Sequence, residues 1–357
     1  MANKRVHRLR EKLAERGLKA MLISNPVNRR YLSGFTGSSG YVLVTEQESW
    51  LLTDFRYMAQ APQQAPRFQV VDHGTSPIDA IGELLSAAGH GRLGFEQEFV
   101  VFSDYTAWSE SLSGTELVPV SGVVEELRVI KDEQEIAVMQ EAAELADATF
   151  AHIVGLLKPG MVESDIALEM EVFMRSRGAT SSSFDTIVAS GERSALPHGV
   201  ASSRVIGNNE FVKLDFGAYY HGYCSDLTRT VVVGQPTDKH KEIYSIVLEA
   251  QMHALDHIRP GMTGVEADAL TRDIITRYGY GDHFGHGTGH GLGMEIHEAP
   301  RLSRLSQTVL TPGMTVTVEP GIYLPGFGGV RIEDDIVITD NGIKILTSSP
   351  KELMILG

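Results

Sequence analysis

The sequence predicts a mixed α/β (α+β) protein of two domains, the second built on a duplicated unit. Three observations lead there. At 357 residues the chain is long for one hydrophobic core. Its first third alternates helical and strand patterns. Its remainder repeats itself: "KPGM" at 158–161 returns as "RPGM" 101 residues later, each before a helical pattern, and those patterns close at Gly178 and Gly279, again 101 apart.

Taken in order, "VHRLREKLAERG" is a short amphipathic helix closed by Gly17. "AMLISN" and "YVLVTEQESWLLTD" read as strands, the latter with an internal turn, and "SPIDAIGELLSAAG" as a second helix. The stretch "SGTELVPVSGVVEELRVIKD" reads as the seam, giving domains 1–127 and 128–357. Asp132 and Glu135 then form a capping box before a long helix with Ile136, Met139, Ala143, Ala146 and Phe150 along one stripe. Downstream, "FVKLDFG" and "TVTVEPG" each place an acid two residues before a glycine, Asp215 and Glu319.

Composition narrows the function classes. A net charge of −15 disfavours nucleic acid or an anionic membrane as partner. A single cysteine, Cys224, excludes an internal disulfide and suits a reducing compartment. The charged N-terminus lacks a signal-like apolar stretch, and no apolar run approaches the roughly 20 residues of a spanning helix. A cytoplasmic protein is expected.

The chemistry concentrates in two hairpins and one glycine-rich stretch. In "FVKLDFGAYYHGYCSDLTRTVVV", a two-residue loop of Tyr220 and His221 sets Asp215 directly opposite Asp226. Opposed like charges destabilise a sheet, so something positive is expected between them. In "TVTVEPGIYLPGFGGVRIEDDIVI", a turn centred on Gly326 makes Glu319 and Glu333 symmetric. Between the hairpins lies "FGHGTGHGLGMEIHEAP", with His286, His290 and His297 in twelve positions. Four carboxylates and an imidazole suit two divalent ions, and the imidazole moves preference from Ca²⁺ or Mg²⁺ toward Mn²⁺, Co²⁺, Zn²⁺ or Fe²⁺. The glycines never satisfy G-x-G-x-x-G and no Gly-Lys dipeptide occurs, which removes the nucleotide-binding readings. His221, His240, His253 and His257 read as structural or solvated.

"LDFGAYYHGYCSDLTRT", "GTGHGLGMEIHE", "TVEPGIY" and "VRIED" resemble the metal-binding blocks of the pita-bread metallopeptidases. "YLSGFTGSSG" with "TDFRY" resembles the creatinase-like N-terminal domain of the proline-specific branch, whose members are Xaa-Pro dipeptidases and Xaa-Pro aminopeptidases. The resemblance implies a creatinase-like α/β domain followed by a pseudo-twofold pita-bread catalytic domain. It implies Asp215, Asp226, His290, Glu319 and Glu333 as ligands of two ions, Mn²⁺ foremost, with Co²⁺ or Zn²⁺ as alternatives. It also implies His198, His286, His297 and Glu319 as catalytic, and Arg301, Tyr323 and Arg331 as substrate-binding. Xaa-Pro dipeptides or peptides would be the substrates, and a homodimer the assembly. The alternative is a catalytically silent binding module on the same fold, for which a lost ligand would be the sign.

Overall fold

The computed structural model describes residues 2–357, with side chains from Lys4 onward, and divides into two compact units, Met1–Arg128 and Val129–Gly357. The first unit is a six-stranded mixed sheet in the order Gln69–Asp72, Ser49–Thr53, Tyr41–Thr45, Ala20–Ile23, Arg92–Glu96, Glu116–Val120. The turn expected inside "YVLVTEQESWLLTD" is there, joining antiparallel strands with Leu43 opposite Trp50. Leu22, Leu43, Leu52, Ile81 and Trp108 form its core. The seam-like stretch belongs wholly to this unit up to its last helix, Val123–Arg128, and the division follows that helix.

The second unit opens with the long helix Glu133–Val154, whose capping box is formed by Asp132 and Glu135. Such a cap contributes about 1 kcal/mol. The duplication then governs the architecture. Helix Glu163–Ser176 recurs as Gly264–Arg277, shifted by 101 residues at both ends, and each is followed two residues later by a glycine of positive φ, Gly178 and Gly279. The first pair of helices covers strands Glu210–Phe216 and Leu227–Val233. In the second half, helices Asp238–His257 and Gly264–Arg277 cover strands Thr315–Val318 and Asp334–Thr339.

Strand alternation decides what reaches the site. Along Glu210–Phe216, Val212, Leu214 and Phe216 join the apolar core beneath the helices. The alternate residues Lys213 and Asp215 therefore point to the opposite face. Both are buried.

The hairpin registers test the two symmetry arguments. The second holds: Gly321 pairs with Arg331 and Val318 with Asp334, so Glu319 and Glu333 lie symmetrically in the interruption between the two ladders. The first requires correction. Its loop residues are His221 and Gly222, at φ 48° and 94°. Positive φ at both centres is the primed turn that matches strand twist, and glycine at the second position favours it over a Tyr-His loop. Asp215 is therefore opposite Thr228, not Asp226. The slip is of two residues, so Asp226 keeps its face and becomes a diagonal neighbour of Asp215.

Candidate metal centre

The glycines of the histidine stretch are set by close packing on both sides. The short strand Gly289–Gly291 runs between Glu298–Leu302 and Thr315–Val318. A Cβ on Gly289 would lie 1.9 Å from the Thr317 carbonyl oxygen, and one on Gly291 would lie 2.2 Å from that of Ala299. Only His290 between them carries a side chain, and it is buried. Its Nδ1–H donates to the Gly291 carbonyl at 3.1 Å, which leaves the Nε2 lone pair facing inward.

What Nε2 faces is acidic. Asp226 Oδ2 lies 3.6 Å away and Glu319 Oε1 3.4 Å away. Ligating atoms of Asp226, His290 and Glu333 all fall within 4.8 Å of one another. Asp226 Oδ1 and Glu333 Oε1 are buried without a hydrogen-bond partner. Buried oxygens in that state are costly unless a cation completes them. Burial first, then the neighbouring Glu333 and Asp215, pushes the Asp226 carboxyl well above its ordinary value. Glu333 is raised likewise by burial and by Glu319 and Asp215. Burial lifts Glu319 to about 7 against the opposing pull of Arg331. Burial holds His290 and His286 neutral, each lowered to about 3. Neutral imidazole and acids crowded past easy ionisation fit a divalent cation.

A cavity of ≈ 580 Å³ opens over this cluster. Ten of the eleven residues singled out from sequence line it: His198, Asp215, Asp226, His286, His290, His297, Arg301, Glu319, Arg331 and Glu333. Tyr323 stands behind the wall, its hydroxyl 2.7 Å from His286 Nε2 and accepting from Arg331 Nη1 at 2.8 Å. His286 Nδ1–H donates to the Gly287 carbonyl, so its Nε2 accepts from Tyr323. Arg331 is buried and largely committed: it pairs with Asp215 through Nη2, and donates to Thr228 Oγ1 (3.0 Å) and the Pro197 carbonyl (3.1 Å). Arg301, opposite His290 in the ladder, is exposed and forms no side-chain hydrogen bond among the described residues. His297 packs edge-on against His290, ring centroids 4.4 Å apart.

Sequence reasoning missed two threonines that hold the acids. Thr228 donates to Glu333 Oε2 at 2.5 Å, and Thr317 accepts the His290 N–H at 3.0 Å while its hydroxyl donates to Glu319. Thr228 follows Asp226 by two residues, so a correct hairpin register would have found it. Phe184, Ile187, Val200 and Ile296, which supply apolar wall, carry no such signal.

An acid–imidazole cluster at the floor of a cavity, framed by duplicated hairpins, defines the site of a metal-dependent hydrolase. Comparison with known proteins makes the class specific. The profile of Metallopeptidase family M24 matches residues 137–340, and that of the Creatinase/Prolidase N-terminal domain matches residues 5–130. The chain belongs to metallopeptidase family M24. It is similar to the solved Xaa-Pro dipeptidase from Bacillus anthracis, with 54% identity, a TM-score of 0.98 and 100% of both chains covered. It is 41% identical to the Xaa-Pro dipeptidase of Pyrococcus furiosus over 98% of this chain and 99% of that one. The X-Pro aminopeptidase structure from Thermotoga maritima shares 40% identity and a TM-score of 0.91, covering 96% of this chain and 99% of that one. The two-domain arrangement of a creatinase-like unit and a pita-bread unit is thereby shown.

Proposed function

We propose that this chain is a dinuclear metal-dependent exopeptidase that hydrolyses the Xaa-Pro bond of dipeptides, with longer Xaa-Pro peptides as secondary substrates. The observation that carries the proposal is the buried Asp226–His290–Glu333 cluster with its two orphaned carboxylate oxygens. Asp215, Asp226, His290, Glu319 and Glu333 would hold the ions. When bound, such ions supply Lewis acidity toward the scissile carbonyl and a water acidic enough to attack it near neutral pH.

The chain's own groups do the rest. Glu319, facing the cavity from beside His290, takes a proton from the attacking water and returns it to the leaving nitrogen. His297 donates to the developing oxyanion, and His198 orients the substrate carbonyl. His286, with both nitrogens hydrogen-bonded, holds the far side of the pocket rather than shuttling protons. The free guanidinium of Arg301 suits a two-bond grip on the proline carboxylate, whereas Arg331 positions Asp215 and Tyr323. That contrast supports dipeptides. Proline's missing N–H leaves its ring shape and fixed φ as the recognised features.

Manganese is the proposed ion, with cobalt or zinc as substitutes, because oxygen ligands dominate and one imidazole is added. A cytoplasmic homodimer completes the proposal. Its location is supported by a lone buried cysteine, Cys224, with a thiol raised to about 12 by burial. Among the described residues no helix is long and apolar enough to cross a membrane. A silent binding module is disfavoured, since none of the five cluster residues is replaced.

The test pairs elemental analysis with kcat/KM on Ala-Pro, Ala-Pro-Ala and Ala-Ala. Up to two transition ions per chain, loss of activity with a chelator and preference for Ala-Pro are expected. A fully active metal-free protein would remove the reading, and equal turnover of Ala-Ala would defeat the proline assignment.

A further inference from the structure

Lys213 has no role in the chemistry above, yet it is fully buried two residues before Asp215 and on the same face of the strand. Its Nζ donates to the carbonyls of Leu196 (2.6 Å) and Pro197 (3.3 Å) and lies 5.2 Å from the centroid of the Tyr323 ring. No carboxylate pairs with it among the described residues. A long polar side chain buried with only two carbonyls and a ring face as partners is an expensive choice for filling space. The two carbonyls it holds immediately precede His198.

The His198 imidazole forms no hydrogen bond among the described residues, so its place at the cavity depends on its backbone. Resting on the role proposed for His198, we infer that Lys213 is a positioning residue that fixes His198 over the site by anchoring the Leu196 and Pro197 carbonyls. Arg331 also reaches the Pro197 carbonyl, but Arg331 serves Asp215, Thr228 and Tyr323 as well. The Lys213 side chain makes no other hydrogen bond among the described residues. The duplication supplies a parallel. Thr317, two residues before Glu319, holds the backbone N–H of His290. In each half, the position two residues before the acid ties down a backbone that carries a histidine, with donor polarity reversed between the halves.

The experiment compares Lys213→Met in two backgrounds, the metal-loaded native protein and His198→Ala, with metal content measured for each. In the native background kcat/KM should fall by about 10–10²-fold, the scale of a misplaced catalytic group. In the His198→Ala background the same change should cost no more than about twofold, because interacting residues are non-additive. Metal content should not change. In the metal-free protein, the His198 imidazole NMR signal should shift or broaden in Lys213→Met while that of His297 stays, and Lys213→Arg should restore it. Equal losses in both backgrounds, an unmoved His198 signal, or loss of metal would each overturn the assignment. Should Lys213→Met not fold, Lys213→Gln, which keeps a donor toward one carbonyl, takes its place under the same criteria. If native protein failed to cleave Xaa-Pro bonds, the functional proposal would fall, while the NMR comparison would still decide what Lys213 does.

Discussion

Loading the cluster with metal at pH 7 should expel protons, and the structure names the groups that release them. Ligands must be deprotonated to bind, so every proton held by the metal-free acids is released. His290 contributes none, because burial lowers it to about 3. Glu319, raised to about 7, is about half protonated at that pH and releases about 0.5. Asp226 and Glu333 are both driven well above the usual range by burial and by the surrounding acids. Crowded carboxylates cannot all ionise, so protons held by this pair add to that release. Release therefore exceeds that of Glu319 alone, and metal affinity should rise with pH near neutrality more steeply than the roughly threefold per pH unit that half a proton gives. Titration calorimetry in two buffers of different ionisation enthalpy measures the release directly. Zero protons at pH 7 would refute the electrostatic account of the cluster. The sign is diagnostic as well. Were histidines the source, release would fade above pH 6.5, whereas raised carboxyls sustain it there. The same shifts make the metal-free protein lose stability as pH rises through the raised carboxyl values, at about 1.4 kcal/mol per pH unit for each group still protonated.

His290→Ala should lose metal and activity together, while His297→Ala should keep its metal and drop kcat by about 10²–10³, as for an oxyanion donor; elemental analysis beside kinetics reads both, and metal loss in His297→Ala would mean the two roles are exchanged. Thr228→Val removes the hydroxyl between Arg331 and Glu333 and should weaken metal affinity by about 10–10², the scale for groups that orient ligands; unchanged affinity would show that Glu333 is held well enough without it. Light scattering should report a dimer, and a monomer at working concentration would end that part of the proposal.

The second hairpin could be read from sequence because its turn, Pro325-Gly326-Phe327-Gly328, announces its own centre. The first could not, because Tyr220-His221-Gly222 offers two plausible two-residue loops. What decides is the backbone: His221 must accept positive φ beside Gly222. The duplicated helices were visible through the glycines that close them, since a left-handed residue after a helix is a strong local signal. Thr228, Thr317 and Lys213 were not visible for the converse reason. A threonine inside a strand pattern is an ordinary β-former, and a lysine there reads as solvent-facing until both faces of the strand are known to be buried. The acids themselves stood out because paired charge sits badly inside apolar strands, and the histidines because three fall within twelve glycine-rich positions.

The two glycines flanking His290 give the cavity one wall that adaptation cannot reshape. With carbonyl oxygens 1.9 Å and 2.2 Å from where a Cβ would stand, any larger residue at 289 or 291 must separate strands rather than repack side chains. Phe184, Asp185 and Val200 line the same cavity from outside those three strands and offer positions where new substrate preferences can arise. Randomising those three positions samples altered substrate recognition, while the same effort at Gly289 and Gly291 would force the strands apart. Diversity in this scaffold has a direction, set by where backbone meets backbone.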